Sequence, residues 1–375
     1  MSNRPSTCRW GVMGTANIAR KVVPAMHLAP TAAPVAIASR NLDRAMAFAD
    51  ETGLERAHGS YEAMLSDPEI DAIYVPLPTA QRRDVILGAA RAGKHVLCEK
   101  PVAPSTSAAE ELIEACSDAG VQFMDGVMFM HHRRLDVLRL KIEELGLVPN
   151  LVESAFTFKG DRNFLKRNIR TSAETEPLGC VGDLGWYNVR IALIVMGDLP
   201  RTVRARHHET INGVPVHTSG DLEFDGPEGK RIVRFQCSFL HPLRQWLEIV
   251  ADDACIRMND FVLPQDGIAE LEISSESRLD DRSSELEKSR ISQIGSRIAK
   301  RILSKTLRSE SGTSEKILIE NCNQEAEMIE CFSMIAAGIN PIDPQWPRWA
   351  LDTQRVTDAI MSSAGADGST IELVG

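Results

Sequence analysis

The stretch that decides the fold is RWGVMGTANIA, residues 9–19, in which a short apolar run reaches a glycine and leads into an amphipathic segment. Gly14 allows the tight turn that joins a strand to a helix, and the first turn of such a helix offers free N–H groups to a pyrophosphate. The fingerprint is G-x-A-x-x-A, because Ala16 stands where a second glycine usually lets the phosphates approach the backbone. The stretch predicts the first βα turn of a dinucleotide-binding sheet.

Short apolar runs alternate with amphipathic segments as far as about residue 130. Strands that are apolar throughout and separated by helices are typical of a parallel sheet covered on both faces. The expected strands are Arg9–Met13, Val35–Ser39, Ala72–Pro76, His95–Cys98 and Gln122–Asp125, and the expected helices lie near Ile18–Met26, Leu42–Thr52, Gln81–Ala92 and Ala108–Ala119. Residues 1–128 are therefore predicted to form a doubly wound α/β (Rossmann) domain.

The pattern changes after about residue 150, where polar and apolar residues alternate along each run. The expected strands are Leu151–Phe158, Arg201–Thr210, Gly220–Phe224, Arg231–Phe239 and Trp246–Ala251, followed by a helix at Trp349–Ser362 and a short apolar end at Ile371–Val374. Short turns and alternation indicate a large, mostly antiparallel sheet with one open face. Residues 129–375 are predicted to be an α+β substrate and oligomerisation domain, whose open face pairs with other copies in a dimer or tetramer.

Residues 270–315 are rich in Ser, Glu, Arg and Lys and are predicted to be a polar helical insertion. Apolar residues recur there at helical spacing, at Ile291, Ile294, Ile298, Ile302, Leu303 and Leu307. A solvated helix that packs on its own domain or on a sister subunit is favoured. A basic amphipathic helix that lies on a membrane or binds a partner is the alternative.

Composition narrows the class of protein. The 375 residues carry a formal net charge of −10, which argues against a nucleic-acid partner. No apolar run approaches the ~20 residues that span a bilayer, so we expect a cytoplasmic protein with no membrane contact. The eight cysteines are scattered without C-x-x-C pairs or histidines at zinc-site spacing, which favours reduced thiols and no metal site.

The end of the second expected strand bears on the choice of nucleotide. A site for NAD usually places an acid there to bind the ribose 2′-OH, whereas this chain has Ser39, Arg40 and Asn41. A hydroxyl and a guanidinium suit a 2′-phosphate, so NADP is favoured over NAD. Alternatively, Arg40 is a solvated turn residue.

Two motifs resemble the Gfo/Idh/MocA (glucose–fructose oxidoreductase-like) oxidoreductases. VPLP at 75–78 followed by GKHVLCEKP at 93–101 is similar to that family's strand-end proline and E-K-P motif, and DLGWY at 183–187 is similar to its D-x-G-x-Y signature. The second motif belongs to the branch that contains dimeric dihydrodiol dehydrogenase. The resemblance covers most of the chain outside residues 270–315.

The resemblance implies hydride transfer between a nicotinamide and the carbinol or carbonyl carbon of a sugar, polyol or related cyclic alcohol. Tyr187 would be the acid/base, Lys100 would lower its pKa and bind the nicotinamide ribose, and Asp183, one helical turn before the tyrosine, would orient the substrate hydroxyl or Lys100. Substrate contacts are expected from Phe158, Arg170, Asp183, Trp186 and Tyr187. Cofactor contacts are expected from Gly14, Thr15, Ala16, Asn17, Ile18, Ser39, Arg40, Arg44, Pro76, Leu77, Pro78, Arg82, Glu99, Lys100 and Met128.

Several alternatives remain open. Lys100 can be a surface lysine before a turn, Asp183 a helix cap, Tyr187 a core tyrosine and Arg170 part of a structural ion pair. Arg82 stands where the family usually has a histidine near the cofactor, which weakens any substrate named by analogy. A trans-dihydrodiol or biliverdin-type reductase on the same fold and a non-catalytic NADP(H)-binding regulatory protein are the other functions considered.

Overall fold

The computed structural model describes residues 7–227, 229–264, 268–276, 304–309, 313–320 and 322–373. The chain forms two compact units. The first contains Met1–Met128, Ser172–Leu178 and Asn323–Asp358, and the second contains Phe129–Thr171, Gly179–Cys322 and Ala359–Gly375. The sequence prediction divided the chain once, at residue 128, whereas the structure returns two later segments to the first unit.

The first unit contains a six-stranded parallel sheet with the strand order β3-β2-β1-β4-β5-β6, which confirms the Rossmann prediction. Its strands are β1 (Cys8–Met13), β2 (Ala32–Ala38), β3 (Arg56–His58), β4 (Ala72–Val75), β5 (His95–Cys98) and β6 (Phe123–Asp125). Its helices are α1 (Ala19–Leu28), α2 (Leu42–Thr52), α3 (Tyr61–Leu65), α4 (Arg83–Arg91) and α5 (Thr106–Asp118), with a short 3-10 turn at Thr79–Gln81. The short elements β3 and α3 were absent from the sequence prediction.

A late helix completes the core of the first unit. This helix, α9 (Gln324–Ala336), lies against β1, where the Trp10 indole donates a hydrogen bond to Ser333 Oγ at 2.9 Å. The Trp10 ring lies 5.0 Å from the Phe332 ring and is tilted by 44° to it. Trp10 is fully buried. The burial of this large ring explains why the chain returns to the first unit after the second sheet is complete.

The second unit is built on a ten-stranded sheet with the order β14-β15-β13-β12-β11-β7-β10-β9-β8-β16. Its described strand pairs are antiparallel except for β7 with β10, which confirms a large, mostly antiparallel sheet. Its strands are β7 (Leu151–Lys159), β8 (Thr202–Ile211), β9 (Val214–Gly226), β10 (Gly229–Ser238), β11 (Leu240–Val250), β12 (Ala254–Met258), β13 (Ile268–Ser275), β14 (Ser304–Arg308), β15 (Ser314–Glu320) and β16 (Ile371–Glu372).

The helices of the second unit are α6 (Arg133–Glu144), α7 (Arg162–Arg167) and α8 (Trp186–Met196), and α10 (Gln345–Gly365) crosses the boundary between the two sets of residues. Short 3-10 turns lie at Met128–His131 and Ile169–Thr171. One face of the sheet carries apolar side chains such as Val152, Leu222 and Val233, all with no exposure. We call the opposite face, which carries the exposed polar side chains, the outer face.

The predicted helical insertion at 270–315 is wrong where the structure describes it. β13, β14 and β15 all lie partly or wholly in that range, and Leu307, which was assigned to the helix, lies on β14. β15 alternates buried and half-buried residues, which is strand periodicity. The remaining residues of the expected helix, Ile291 to Leu303, lie outside the described residues. Among the described helices, none combines the length and the apolar character that a bilayer crossing requires.

Candidate active site

The turn between β1 and α1 has the geometry of a pyrophosphate site. Gly14 has φ +101°, its N–H donates to the carbonyl of Ala38 at 2.8 Å, and a β-carbon at this position would lie 2.8 Å from Leu77 Cδ2. Only glycine fits such a position. Within the described part of the chain, nothing accepts a hydrogen bond from the N–H groups of Thr15 through Ile18. These N–H groups at the start of a helix suit an anion.

Two arginines and a tyrosine flank this turn. Arg40 follows β2, Arg44 lies in the first turn of α2, and both are exposed. Tyr61 begins α3, and its hydroxyl would lie 3.6 Å from a β-carbon at Gly14. Burial raises the pKa of Tyr61, and the charges of Arg40 and Arg44 oppose that rise. Sequence analysis missed Tyr61 because the elements on either side of it are too short to show periodicity.

Ser39 contributes less directly than the sequence suggested. It is 7% exposed, and its Oγ accepts a long hydrogen bond of 3.4 Å from the N–H of Asn41. Asn41 in turn caps α2 by accepting from the N–H of Arg44 at 2.9 Å. Ser39 and Asn41 therefore shape the turn that presents the two arginines.

The carboxyl ends of β4 and β5 bring the proline motif beside the E-K-P motif. Val75 pairs with Cys98, so Pro76–Pro78 and Glu99–Pro101 leave the sheet side by side. The Tyr74 hydroxyl donates to Glu99 Oε1 at 2.6 Å. Burial raises the pKa of Glu99, while the hydrogen bond from Tyr74 and the charge of Lys100 oppose that rise. Lys100 lies at the edge of a parallel sheet where ligands of such folds bind.

Arg82 is held by hydrogen bonds to the protein main chain. The residue is 3% exposed, and its side chain donates to the main-chain carbonyls of Leu77, Glu99 and Pro101. Nε and Nη1 therefore serve the protein backbone, and the direct cofactor contact expected of Arg82 stays a prediction.

In the second unit, Asp183 and Tyr187 lie on a distorted helix start. Val181–Gly185 forms a π-helical turn that continues into α8. Gly179 precedes it with φ +50°, and a β-carbon there would lie 2.2 Å from the carbonyl oxygen of Pro215. π-helical turns are frequent at functional sites. This one places the carboxylate four residues before the phenol.

Asp183 forms an ion pair with Arg170, whose Nε lies 2.9 Å from Asp183 Oδ2. Their side chains are 15% and 43% exposed, so the carboxylate is the more enclosed partner. Arg170 follows α7 in the 3-10 turn Ile169–Thr171. The structure thus shows the ion pair that the sequence left as one of two roles for Arg170.

Tyr187 lies in an aromatic pocket of the second unit. Its ring is 5.4 Å from that of Phe156 and 6.0 Å from that of Phe129, and the residue is 4% exposed. Phe156 and Phe129 were not expected at the site, although alternation along β7 puts Phe156 on the same face as the buried Val152. Behind Tyr187, Asn188 donates to Ser154 Oγ at 2.8 Å and joins α8 to β7.

Two residues expected at the substrate are placed differently. Trp186 has no exposure, so we revise it to a core residue. Phe158 packs 5.2 Å from Phe164 and 5.2 Å from Phe239 in a three-ring cluster, and it remains half-buried. Lys100 and Met128 belong to the first unit, and Asp183 and Tyr187 to the second.

A parallel sheet with a glycine turn, open helix N–H groups and adjacent arginines defines a dinucleotide-binding protein. Residues 8–127 match the model of the Gfo/Idh/MocA family, described as an oxidoreductase family with an NAD-binding Rossmann fold. D-xylose 1-dehydrogenase (NADP(+)) 2 of Haloferax volcanii is 35% identical over 273 residues, which are 72% of this chain and 82% of that protein. The chain belongs to the Gfo/Idh/MocA family, and it is an oxidoreductase that binds a nicotinamide dinucleotide.

Two further relatives widen the comparison. Trans-1,2-dihydrobenzene-1,2-diol dehydrogenase of Xenopus laevis is 31% identical over 231 residues, which are 58% of this chain and 66% of that protein. A 3-ketoreductase of Actinomadura kijaniata, solved with NADP and TDP-benzene, superposes with a TM-score of 0.78 and 25% identity over 95% of this chain and 97% of that chain. Both Rossmann and open-sheet parts of the fold are therefore shared.

Proposed function

We propose that this protein is an NADP-dependent dehydrogenase or reductase that acts on a CH–OH or carbonyl carbon of a sugar, polyol or related cyclic alcohol. The observation that carries the proposal is Lys100 at the carboxyl end of β5, in a sheet whose glycine turn is built for a dinucleotide. The xylose dehydrogenase, which is named for a sugar, supports the substrate class, and the 3-ketoreductase supports a carbonyl carbon as the reacting centre.

In this proposal three side chains support proton transfer to or from the substrate, while the nicotinamide supplies or accepts a hydride. Tyr187 exchanges the hydroxyl proton of the substrate, acting as acid or base according to direction. A free phenol has a pKa near 10, so a nearby ammonium is needed to favour the phenolate at neutral pH, and Lys100 supplies that charge. Asp183, held by Arg170, accepts a hydrogen bond from a substrate hydroxyl and orients it.

The aromatic pocket around Tyr187 would exclude water from the reacting atoms. Phe156 and Phe129 offer apolar surface on two sides of the phenol. Fixed charges act more strongly where water is absent, so Lys100 would have a larger effect on Tyr187 there than in solution.

NADP rather than NAD follows from the charges beside Gly14. Arg40 and Arg44 form no ion pair with a carboxylate among the described residues, and both act on the Tyr61 phenol. Two guanidinium groups match the charge and geometry of a 2′-phosphate. An acid that would bind a free 2′-OH is absent from the Ser39–Arg40–Asn41 turn.

A trans-dihydrodiol or biliverdin-type reductase is the second candidate. The dihydrodiol dehydrogenase relative and the aromatic rings around Tyr187 favour it, since a planar apolar substrate would pack well against them. A non-catalytic NADP(H) sensor is the third, and it would not need the lysine, aspartate and tyrosine together.

We also propose that the protein is a homo-oligomer through the outer face of its large sheet. That face carries paired charges of both signs, such as Arg257 with Glu248 at 2.6 Å and Lys316 with Glu270 at 2.7 Å. A surface of alternating charges can match a second copy of itself about a twofold axis. Light scattering of the purified protein tests this directly, and a monomeric mass overturns it.

The test of the function is a fluorescence titration with NADPH and NADH, followed by a panel of sugars, polyols, trans-dihydrodiols and biliverdin with the better cofactor. We expect tighter binding of NADPH and turnover with a sugar or polyol. Turnover restricted to dihydrodiols or biliverdin would favour the second candidate. NADPH binding without turnover across the panel would favour the sensor.

A further inference from the structure

Arg82 is a buried cation beside the motif that contains Lys100. It lies between the 3-10 turn Thr79–Gln81 and α4, and it is 3% exposed. Its Nε donates to the carbonyl of Leu77 at 2.7 Å, and its Nη1 donates to the carbonyls of Glu99 and Pro101. Those last two residues are the immediate neighbours of Lys100 on either side.

A guanidinium group is better suited than other cations to binding several main-chain carbonyls at once. It carries five N–H donors in one rigid plane and stays charged, so one side chain can hold several carbonyls at fixed angles. A lysine ammonium has three donors without a fixed plane. A buried charge is tolerated when it is hydrogen-bonded, and here three main-chain carbonyls accept from Nε and Nη1.

The contacts also link the two segments that follow the neighbouring strands β4 and β5. Leu77 follows β4 and Glu99 follows β5, so one side chain links the segment of the prolines to the E-K-P segment. The charge of Arg82 also favours the ionised form of Glu99, whose pKa is raised by burial. The arginine therefore stabilises both the path of the chain and the charge next to Lys100.

We propose that Arg82 is a positioning residue, which fixes the main chain on both sides of Lys100 and thereby holds the lysine where it acts. This inference rests on the proposed function, because Arg82 acts through Lys100. It predicts a defect in turnover that is larger than the defect in NADPH affinity.

The test compares Arg82→Gln and Arg82→Lys with Arg83→Gln, which removes the neighbouring exposed arginine that pairs with Glu111. We expect kcat of Arg82→Gln to fall by about 100-fold, because displacements near 1 Å cost that much, while KM for NADPH changes far less. Arg82→Lys keeps the charge and should recover part of the loss. Arg83→Gln should behave as the wild type.

A second readout does not depend on activity. Lys100 is acetylated with acetic anhydride in the full-length protein, and its labelling rate is measured by mass spectrometry against that of Lys94. Lys94 is an internal standard for the same unit, since its buried ammonium donates to the carbonyls of Asp67 at 2.7 Å and Ile70 at 2.8 Å. We expect Arg82→Gln to raise the rate at Lys100 by about tenfold, the effect of about 1.4 kcal/mol of local opening, and to leave Lys94 unchanged.

Two outcomes would overturn the proposal. One is labelling of Lys100 at the wild-type rate in Arg82→Gln, and the other is an equal rise at Lys94, which would make Arg82 a general determinant of folding. If Arg82→Gln does not fold, Arg82→Lys carries the same comparison. If the wild type proves to have no turnover, the proposed function fails while the labelling result still decides whether Arg82 holds the segment around Lys100.

Discussion

Discrimination between the two nicotinamide dinucleotides depends on single residues around the 2′ position of the adenosine ribose. We propose Arg40 and Arg44 for that region in this chain, and the Tyr61 hydroxyl lies beside the glycine turn. The sequence indicated Arg40, because a residue directly after the second strand of such a sheet has a known role. It did not indicate Tyr61, whose position depends on a three-residue strand and a five-residue helix.

We expect Arg40→Ala and Arg44→Ala each to weaken NADPH binding by about 10-fold or more, since a charge-assisted hydrogen bond contributes about 1.5–3 kcal/mol. NADH binding should change little, because it has no 2′-phosphate. The measurement is a fluorescence titration with both nucleotides. Arg91→Ala, which removes an exposed arginine in the last turn of α4, is the control. Equal losses for NADPH and NADH would contradict the assignment.

At the scale of elements, the π-helical turn before α8 depends on the backbone of Gly179. The residue has a positive φ, and its α-hydrogens face the carbonyl oxygen of Pro215 on β9. Any side chain there must displace a strand, and the turn that carries Asp183 would move with it. The helix ends at Gly197, which also has a positive φ of +77° but has open space around it.

These two glycines give a matched comparison. Both alanine variants carry the strain of a left-handed backbone, which costs about 1 kcal/mol, but only Gly179→Ala adds a steric clash with backbone. We therefore expect Gly179→Ala to lower the free energy of unfolding in urea clearly more than Gly197→Ala, and to reduce activity as well. Similar losses in the two variants would show that the contact with Pro215 is unimportant.

Sequence analysis found the elements that have a clear pattern of apolar residues. Helix α2 was predicted with the observed bounds, and the strands of the first sheet other than β3 were placed within a few residues, because buried parallel strands are continuous apolar runs. Of the apolar positions that suggested a helix in the insertion, the one that the structure describes, Leu307, lies on β14 and pairs with Lys316 on β15. The spacing of apolar residues does not show this pairing across a hairpin.

On the scale of the whole molecule, the return of residues 323–358 to the first unit was not predictable from local pattern. It depends on contacts between residues far apart in sequence, such as Trp10 with Ser333 and Thr106 with Asp358, whose Oδ2 accepts from the threonine hydroxyl at 2.8 Å. The D-x-G-x-Y and E-K-P motifs were found because their spacing is local. The burial of Arg82 and Trp186 was not predicted, because burial is a property of the folded chain.

Stability should respond to pH through a histidine stack on the outer face. His217 lies 4.5 Å from His208 and 4.5 Å from His241 between ring centres, and Gln236 Nε2 lies 3.0 Å from His217 Nε2, with Arg244 donating to the oxygen of that amide. Burial and the two neighbouring imidazoles lower the pKa of His217 to about 4.

The unfolded chain, in which histidine titrates near 6.5, therefore binds more protons than the folded chain between about pH 4 and 6.5. We expect the melting temperature to fall as the pH drops through this window. His217→Gln should make the fall shallower, and His27→Gln, an exposed histidine of the first unit, should leave it unchanged. Identical pH profiles for His217→Gln and the wild type would contradict this account of the stack.

The central claim, that Tyr187 and Lys100 exchange a proton while hydride moves to or from the nicotinamide, is tested most directly by Tyr187→Phe. The measurement is kcat with the best substrate of the panel, together with the dissociation constant for NADPH, in this variant and in Lys100→Met. We predict a loss of kcat of about 100-fold or more in both, the usual contribution of a positioned acid or base, with NADPH binding largely retained. Near-normal turnover in either variant would contradict the account.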